Sequence, residues 1–414
     1  MILDYAEIWS KVEDLPWCTL VTSGRTGSDA LQSYLDSHPE IFLIPGHIFL
    51  HRHWDGLRTT RLQGELNSDD IADEFIGQFI HKLKTKYDSL ERMDALGVNM
   101  DQSIDLSVAT FRKHLVGLLA EKQLISRYFV QAVYVAYALT ADQDISAKKL
   151  FFDHVHHIRK VPDVIADFPD CKIICMTRDP RAAYVSAADS WRLYAKDTGL
   201  DELEMHSTAW QLSVLQRIMD EPRALAKYGD KFRVMRLEDL DDEGIKRTTC
   251  KWLGISFHPE VMDSTWGGLR WWGDQKSAVV PDKTMSQQEF INMNRSSRWE
   301  KRLPALDKYV LNYLLNDRLR ECNYTYEENP GALSFFLIII AIFMPTAYER
   351  LDFAPKRLIL LLCNGQFRQL LKAPYMYARR VMYYFVLLNR RLTGNHFVLP
   401  LFKDESNPSR DLAD

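Results

Sequence analysis

Apolar runs alternate with amphipathic stretches along the first 260 residues of the chain. The apolar runs predict strands at 17–22, 40–44, 148–154, 172–177 and 231–240, the last of these running into a loop. Helical periodicity predicts helices at 28–37, 69–86, 104–122, 156–167, 201–227 and 243–253. Because strands alternate with helices, we expect an α/β fold with a parallel sheet and helices on both of its faces. Ligands of such sheets bind at the carboxyl ends of the strands.

A glycine-bracketed arginine stands between the first predicted strand and its helix, in "TLVTSGRTGSDALQ" (19–32). Glycine allows close backbone approach, and a helix N-terminus offers N–H groups and partial positive charge. The segment therefore predicts an anion seat, although a tight turn without function explains it equally well when it is taken alone. It is not a Walker A motif, because GxxxxGK[ST] is absent and no lysine follows Gly27.

A second strand–loop–helix unit, "TRDPRAAYVS" (177–186), changes that balance. Arg178 ends a buried strand, an Asp-Pro pair turns the chain, and Ser186 follows eight residues after Arg178. We expect Arg178, Arg181 and Ser186 to face one phosphate near the end of that strand. Two anion seats on neighbouring strand ends suit a ligand that carries phosphates at both ends.

The charge of the chain is unevenly distributed. The net charge is −4, yet residues 331–414 carry eleven basic and six acidic residues, which is +5 and leaves −9 before them. An acidic body with a basic, apolar tail argues against a nucleic-acid partner. The six cysteines form no CxxC pair and no zinc spacing, so we expect buried packing for Cys171 and Cys175 and a reducing compartment. The N-terminus has charges throughout and no signal-peptide pattern.

Four separated motifs together resemble one known family. The first, "TSGRTGSDALQSYLDSHPEI" (22–41), is similar to the 5′-phosphosulfate loop of sulfotransferases that use 3′-phosphoadenosine 5′-phosphosulfate (PAPS), most of all the tyrosylprotein and bacterial members. "TRDPRAAYVS" resembles their 3′-phosphate motif, "RLEDL" (236–240) with "CKWLGI" (250–255) resembles a downstream segment, and "RSSRWEKRL" (295–303) resembles the stretch that closes over the cofactor. The resemblance runs from about 17 to 326. It implies a P-loop-like parallel sheet flanked by helices, and sulfuryl transfer without a metal.

The resemblance also assigns contacts to PAPS, residue by residue. Those to the 5′-phosphosulfate would come from Arg25, Thr26, Gly27, Ser28 and Asp29. Those to the 3′-phosphate would come from Arg178 and Ser186, and the site would be completed by Ser297 and Arg298.

The chain departs from the family at two catalytic positions. Many relatives place a lysine on the transferring sulfuryl group, whereas "FFDHVHHIRKVP" (151–162) offers His154, or Asp153 if the alignment shifts by one. The glutamate base of the relatives also has no plain match, and "IPGHIFLHRHW" (44–54) offers His47, His51 and His53 instead. An unperturbed imidazole pKa of about 6.5 suits a base near neutrality. We place His47 first, because it follows closely after the second strand, and we expect Arg25 and a protonated His154 to stabilise charge on the leaving group.

These features predict a cytoplasmic PAPS-dependent sulfotransferase whose acceptor is a hydroxyl of a glycan, a lipid, a lipid-linked saccharide or a small molecule. Two other functions stay open. A nucleotide-binding phosphotransferase would use the same loop with magnesium, but it normally needs the missing lysine. A sulfotransferase-like binding protein without activity would explain the substituted lysine and the absent glutamate.

Residues 1–330 would form the catalytic domain, and 331–414 a helical, basic and hydrophobic tail. "ALSFFLIIIAIFM" (332–344) would span about 20 Å as a helix, which is short for a bilayer core of about 30 Å. "KRLILLL" (356–362) and "YMYARRVMYYFVLLNRR" (375–391) interleave arginines with apolar side chains, as helices on an anionic membrane surface do. We expect the tail to hold the enzyme on the inner membrane face, or else to be a helical subdomain packed on the catalytic part.

Overall fold

A computed structural model describes residues 3–61, 67–84, 96–197, 207–273, 298–324 and 332–403. Its centre is a five-stranded, all-parallel sheet in the order β2-β3-β1-β4-β5. The strands are β1 (Trp17–Thr22), β2 (Ile41–Phe42), β3 (Leu150–Val155), β4 (Lys172–Thr177) and β5 (Phe232–Arg236). A separate antiparallel pair consists of β6 (Thr265–Trp266) and β7 (Leu269–Arg270). The predicted α/β fold class is confirmed, and β2 is shorter than the predicted strand at 40–44.

Helices surround the sheet on both faces. Those up to residue 253 are α1 (Tyr5–Val12), α2 (Ser28–Leu35), α3 (Leu50–Gly56), α4 (Ser68–Phe79), α5 (Val108–Ala120), α6 (Ser126–Thr140), α7 (Val161–Asp167), α8 (Pro180–Asp197), α9 (Ser207–Leu225) and α10 (Glu243–Leu253). Those after it are α11 (Arg298–Arg302), α12 (Ala305–Glu321), α13 (Ala332–Phe343), α14 (Ala347–Asp352), α15 (Pro355–Cys363) and α16 (Phe367–Leu392). Every helix predicted from the periodicity has a counterpart, whereas α1, α3, α6, α11 and α12 had no predicted helix.

The two faces of the sheet carry separate hydrophobic cores, because successive strand residues point to opposite sides. In β1, Trp17 and Val21 belong to one core, with α5 and α6, whereas Cys18 and Leu20 belong to the other, with α2 and α10. The cysteines beside β4 fit this packing as predicted. Cys171 and Cys175 are buried, and burial raises the pKa of both thiols.

The tail packs on the catalytic part through a third core. Its helices α13 and α16 share this core with side chains of α8, α9 and α12, among them Tyr184, Leu215 and Leu311. Buried ion pairs tie the tail together, such as Arg380 with Glu349 at 2.9 Å. Within the described parts of the chain, no helix is both long and apolar enough to cross a bilayer.

Candidate active site

The loop from β1 to α2 is built around left-handed backbone. Gly24, Arg25 and Gly27 have φ of 82°, 58° and 84°. Gly27 is the N-cap residue of α2, and a β-carbon there would lie 2.3 Å from Cδ1 of Leu237, so the position requires glycine. A left-handed arginine costs free energy and is typical of functional sites. The first turn of α2 therefore starts at a tightly turned, cationic loop, which is the geometry of an anion seat.

The loop arginine reaches the second predicted anion motif. Arg25 Nε donates a hydrogen bond to Oγ of Ser186 in α8, at 3.1 Å. Thr26 lies beneath the loop, with its hydroxyl oxygen 3.0 Å from that of Thr22. Since β1 and β4 are adjacent in the sheet, the structure brings together the two motifs that are separated by about 150 residues of sequence.

Arg178 follows β4 and lies near a half-buried acid, Glu238. Burial lowers the pKa of its guanidinium, the carboxylate of Glu238 raises it, and the nearby charge of Arg25 lowers it again. Glu238 accepts hydrogen bonds from the hydroxyl of Tyr324 (2.8 Å) and from the backbone N–H of Asp179 (3.3 Å). Arg178 therefore lies at the end of β4 within the electrostatic influence of the acid Glu238 and of the cation Arg25.

Arg181 does not join this seat, contrary to the prediction. Its side chain is buried and donates to both carboxylate oxygens of Asp179, at 3.0 and 2.8 Å, and to the amide oxygen of Asn312. Its guanidinium also lies 4.1 Å from the ring centroid of Trp299, which belongs to the "RSSRW" stretch. These contacts make it a structural link between α8, α11 and α12.

A carboxyl group of α9 supports the loop from below. Ser23 Oγ donates to Oε2 of Glu221 at 3.0 Å, and the guanidinium of Arg217 lies against Gly24. Burial raises the pKa of Glu221 to about 7, although the hydrogen bond from Ser23 and the charge of Arg217 oppose the shift. Near neutrality this carboxyl group is therefore partly protonated, which limits the negative charge beside the anion seat.

His47 is fixed by the first turn of α2. Its Nε2 donates to Oδ1 of Asp29 at 3.0 Å. Because a carboxylate can only accept, Nε2 carries the proton and Nδ1 of the neutral ring carries the lone pair. Asp29 was predicted as a contact to the 5′-phosphosulfate, and this stays a prediction; in the structure its carboxylate accepts the hydrogen bond that orients His47.

His154 lies on the same side of the sheet and is held by the same helix. Its Nδ1 donates to Oε1 of Gln32 at 2.7 Å, and the Gln32 amide donates to the backbone oxygen of Ile44. Asp153, the alternative at this position, points to the opposite face and accepts a hydrogen bond from the hydroxyl of Tyr134 at 2.9 Å. Of the two candidates, His154 is therefore the one on the side of the anion loop.

The other two candidate bases lie elsewhere. His51 Nε2 is 3.1 Å from a carboxylate oxygen of Asp167. His53 is buried against the rings of Phe75, Phe79 and Phe129, with centroids 4.8–5.8 Å away. The sequence could not decide which of the three histidines is the candidate base. Among the contacts described for them, only those of His47 reach α2, the helix that follows the anion loop.

His156 joins His47 and His154 in one cluster. The ring centroid of His47 lies 4.0 Å from that of His154 and 4.3 Å from that of His156. One ring nitrogen from each lies within 4.8 Å of those of the others, an arrangement that could hold a metal ion. Three imidazoles are a known zinc donor set, so the predicted absence of a metal stays a prediction and calls for a chelator test.

A sequence comparison with protein families now decides the family. Residues 19–259, which include both anion motifs and the three clustered histidines, match the model of the sulfotransferase family. The chain belongs to the sulfotransferase family. No curated protein gives a significant match.

Solved sulfotransferase structures resemble the fold. The sulfotransferase domain from the curacin biosynthetic pathway is 16% identical, with 67% of this chain and 82% of that chain covered and a TM-score of 0.36. The sulfotransferase domain of the Synechococcus PCC 7002 olefin synthase is also 16% identical, with 69% of this chain and 88% of that chain covered and a TM-score of 0.38. A Mycobacterium avium sulfotransferase is 16% identical, with 62% of this chain and 68% of that chain covered and a TM-score of 0.35. Similarity at this level says nothing about individual site residues.

Two predicted contacts of this sulfotransferase family member cannot be placed. Ser297 lies outside the described residues, and Arg298 begins α11 with a side chain that is also outside them. Two supporting acids, Glu221 and Glu238, were not predicted as site residues. The "RLEDL" motif contained Glu238, but nothing local in the sequence signalled Glu221.

Proposed function

We propose that this chain transfers the sulfuryl group of PAPS to a hydroxyl acceptor, without a metal. The observation that carries the proposal is the 3.1 Å hydrogen bond from Arg25 to Ser186, which joins the two anion motifs. PAPS carries a phosphosulfate at its 5′ end and a phosphate at its 3′ position. Two cationic positions at neighbouring strand ends match that pair of charges.

The electrostatics of these residues fit the ligand. Arg25 and Arg178 are both half-buried, and the charge of Arg25 lowers the pKa of Arg178. Two guanidinium groups so placed repel each other, and an anion between them relieves that repulsion. Arg25 and the backbone of Thr26, Gly27 and Ser28 would hold the 5′-phosphosulfate.

On the other side of the seat, Arg178 and Ser186 would hold the 3′-phosphate. The 3′-phosphate is what distinguishes PAPS from adenosine 5′-phosphosulfate. Ser297 and Arg298 remain proposed contacts from the resemblance alone.

The chemistry then follows from the protonation states of the histidines. When bound, PAPS supplies an activated sulfuryl group. His47, with Nε2–H held by Asp29, takes the proton of the acceptor hydroxyl at Nδ1. Arg25, the first turn of α2 and a protonated His154 provide positive charge where negative charge develops on the leaving group. Groups that are fixed in advance by Asp29 and Gln32 need little reorganisation during the transfer.

We propose a glycan, a lipid or a lipid-linked saccharide as the acceptor, and the cytoplasmic face of the membrane as the location. Support for the location comes from the tail, whose surface exposes large hydrophobic side chains together with lysines and arginines. A hydroxyl that is presented at a membrane would meet an enzyme already held there.

The test uses the full-length chain, PAPS labelled in its sulfuryl group, and lipid, glycan and protein fractions from cells. We expect label in one hydroxyl-bearing fraction, no transfer by Arg25→Ala, and unchanged transfer in EDTA. Loss of activity in EDTA that zinc restores would show that the histidine cluster works as a metal centre, and restoration by magnesium would favour phosphoryl-type chemistry. Tight binding of adenosine 3′,5′-bisphosphate without transfer to any fraction would favour the inactive binding protein.

A further inference from the structure

The helices of the tail expose an unusual amount of apolar surface. Among the described residues, sixteen of the twenty-one exposed large hydrophobic side chains lie between Phe336 and Val398. Isolated exposed hydrophobics are ordinary on soluble proteins, but a concentration of them marks an interaction surface. The opposite sides of α13 and α16 are buried in the core that they share with α8, α9 and α12, so these two helices anchor the tail and leave its outer face exposed.

The most compact part of this surface is the tip of a helical hairpin, which we name the tail hairpin and define as residues 355–375. It consists of α15, a turn in which Gly365 has φ of 67°, and the first turns of α16. Both helices carry exposed large hydrophobic side chains close to this turn in the chain. Their exposed fractions range from 38% to 68%, for Ile359, Leu360, Leu362, Phe367, Leu371 and Tyr375.

The charge at this tip has a single sign. Residues 353–403 contain nine Lys or Arg and no Asp or Glu. Lys356 and Arg368 are exposed and Lys372 is half-buried, all three within the tail hairpin. The last carboxylates before this segment, Glu349 and Asp352, are buried and paired with arginines of the tail. Apolar side chains flanked only by cations match a surface of hydrocarbon and negative headgroups.

We propose that the tail hairpin docks on an anionic lipid bilayer, with Phe367 and Leu371 in the acyl boundary and Arg368 and Lys372 at the headgroups. A symmetric pairing of two copies through the same tip would oppose cation to cation, so the charges favour a membrane over a second copy. The helices lie in the interface and do not cross it. The proposal rests on the proposed function in one respect only: the bilayer would bring the enzyme to an acceptor that lies in the membrane.

Vesicle flotation tests the surface without PAPS. Full-length protein is floated with phosphatidylcholine vesicles and with vesicles in which about a third of the lipid is phosphatidylserine, at low and high salt. We expect flotation with the anionic vesicles, weakened by salt. The double variant Leu371→Ser/Tyr375→Ser should bind at least about tenfold more weakly. Val98→Ser, an equally exposed position outside the tail at 67%, should bind like wild type.

The cations have their own matched pair of variants. Arg368→Gln/Lys372→Gln should weaken binding to anionic vesicles about fivefold per charge removed. Lys113→Gln, which removes an exposed charge from α5, should leave it unchanged. Both tail variants replace residues at the outer face, so their melting curves should match wild type.

Three outcomes would overturn the proposal. In the first, wild-type protein floats with neither kind of vesicle. In the second, it floats but the tail variants do not reduce flotation. In the third, the protein is a dimer without lipid, and the double variant Leu371→Ser/Tyr375→Ser dissociates that dimer. The proposed function fails separately: protein that floats but transfers no sulfuryl group refutes the chemistry and leaves the surface intact. Protein that transfers the group but does not float refutes only the surface.

Discussion

Arginines serve opposite purposes at the sheet edge and in the tail hairpin. At the sheet edge, Arg25 donates a hydrogen bond to Ser186 and Arg178 lies near the half-buried Glu238, so both cations are half-buried among polar partners. In the tail hairpin, Arg368 is exposed next to the exposed ring of Phe367. Fixed cations recognise a ligand whose charges have a defined spacing, whereas exposed cations among apolar side chains recognise a surface. Net charge alone would not distinguish these two uses.

The tail itself repeats the contrast within one helix. In α13, Ile342 is fully buried in the core shared with α8 and α12, whereas Ile340 is 57% exposed. The tail is therefore part of the folded body on one side and a free surface on the other. Deleting residues 331–414 would uncover the shared core, so point substitutions test the two sides more cleanly.

The largest effect should come from His47, the proposed base at the sheet edge. His47→Ala should lower turnover by about 10²- to 10⁴-fold, the usual contribution of a general base, with binding of adenosine 3′,5′-bisphosphate intact. His51→Ala is the matched control, because this histidine lies against Asp167 and away from the anion loop. Steady-state kinetics and calorimetry measure the two quantities. Unchanged turnover in single alanine variants of His47, His51 and His53 would remove the histidine base from the mechanism.

A companion variant addresses the second histidine. His154→Lys restores the residue type that many relatives have, and we expect activity to be retained or raised. Complete loss of transfer, with a normal melting curve, would show that His154 does not occupy the position of that lysine.

Next in size is the stability of the buried side of the tail. Ile342→Ala should lower the free energy of unfolding by about 2–5 kcal/mol, because it leaves a cavity in the shared core. Ile340→Ala, two residues away on the exposed side of the same helix, should change it by less than about 0.5 kcal/mol. Urea unfolding of both variants gives the comparison. Equal effects would mean that the tail does not pack on the catalytic part in this way.

Local sequence patterns predicted the bounds of an element correctly where the signals for that element lie within or directly beside its own segment. Lys172–Thr177 and Glu243–Leu253 match the predicted strand and helix at both ends, since the first is a continuous apolar run and the second has Asp242 as N-cap and Gly254 as C-cap. The helix Ser126–Thr140 had no predicted counterpart. Ten of its residues are buried, so it lacks the polar face on which helical periodicity depends.

The candidate site was predictable only in part, for a similar reason. The two anion motifs could be found as spaced residues within short segments. The bond between Ser23 and Glu221 joins residues 198 apart, and the bond between His47 and Asp29 depends on how the chain returns to α2. Such partners are set by packing, and no spacing rule in the sequence reveals them.

The smallest predicted effect concerns Glu221 under the anion loop. Its pKa is raised by burial from an ordinary 4.5 to about 7, so the folded state binds the proton more tightly than the unfolded state. The stability that this provides is complete below about pH 4.5 and is lost as the pH rises through about 7. Between about pH 5 and pH 8, wild type should lose about 1–3 kcal/mol relative to Glu221→Gln, measured by urea unfolding. Parallel pH profiles of the two proteins would contradict the raised pKa.

The central claim is that the two anion motifs form one site for a ligand with 3′ and 5′ charges. Titration calorimetry of adenosine 3′,5′-bisphosphate and adenosine 5′-monophosphate, on wild type and on Arg178→Ala, tests it most directly. Wild type should bind the bisphosphate at least about tenfold more tightly, since hydrogen bonds to charged groups contribute about 1.5–3 kcal/mol, and Arg178→Ala should bind both nucleotides equally. Equal affinity of wild type for the two nucleotides, or a preference that survives in Arg178→Ala, would contradict the account.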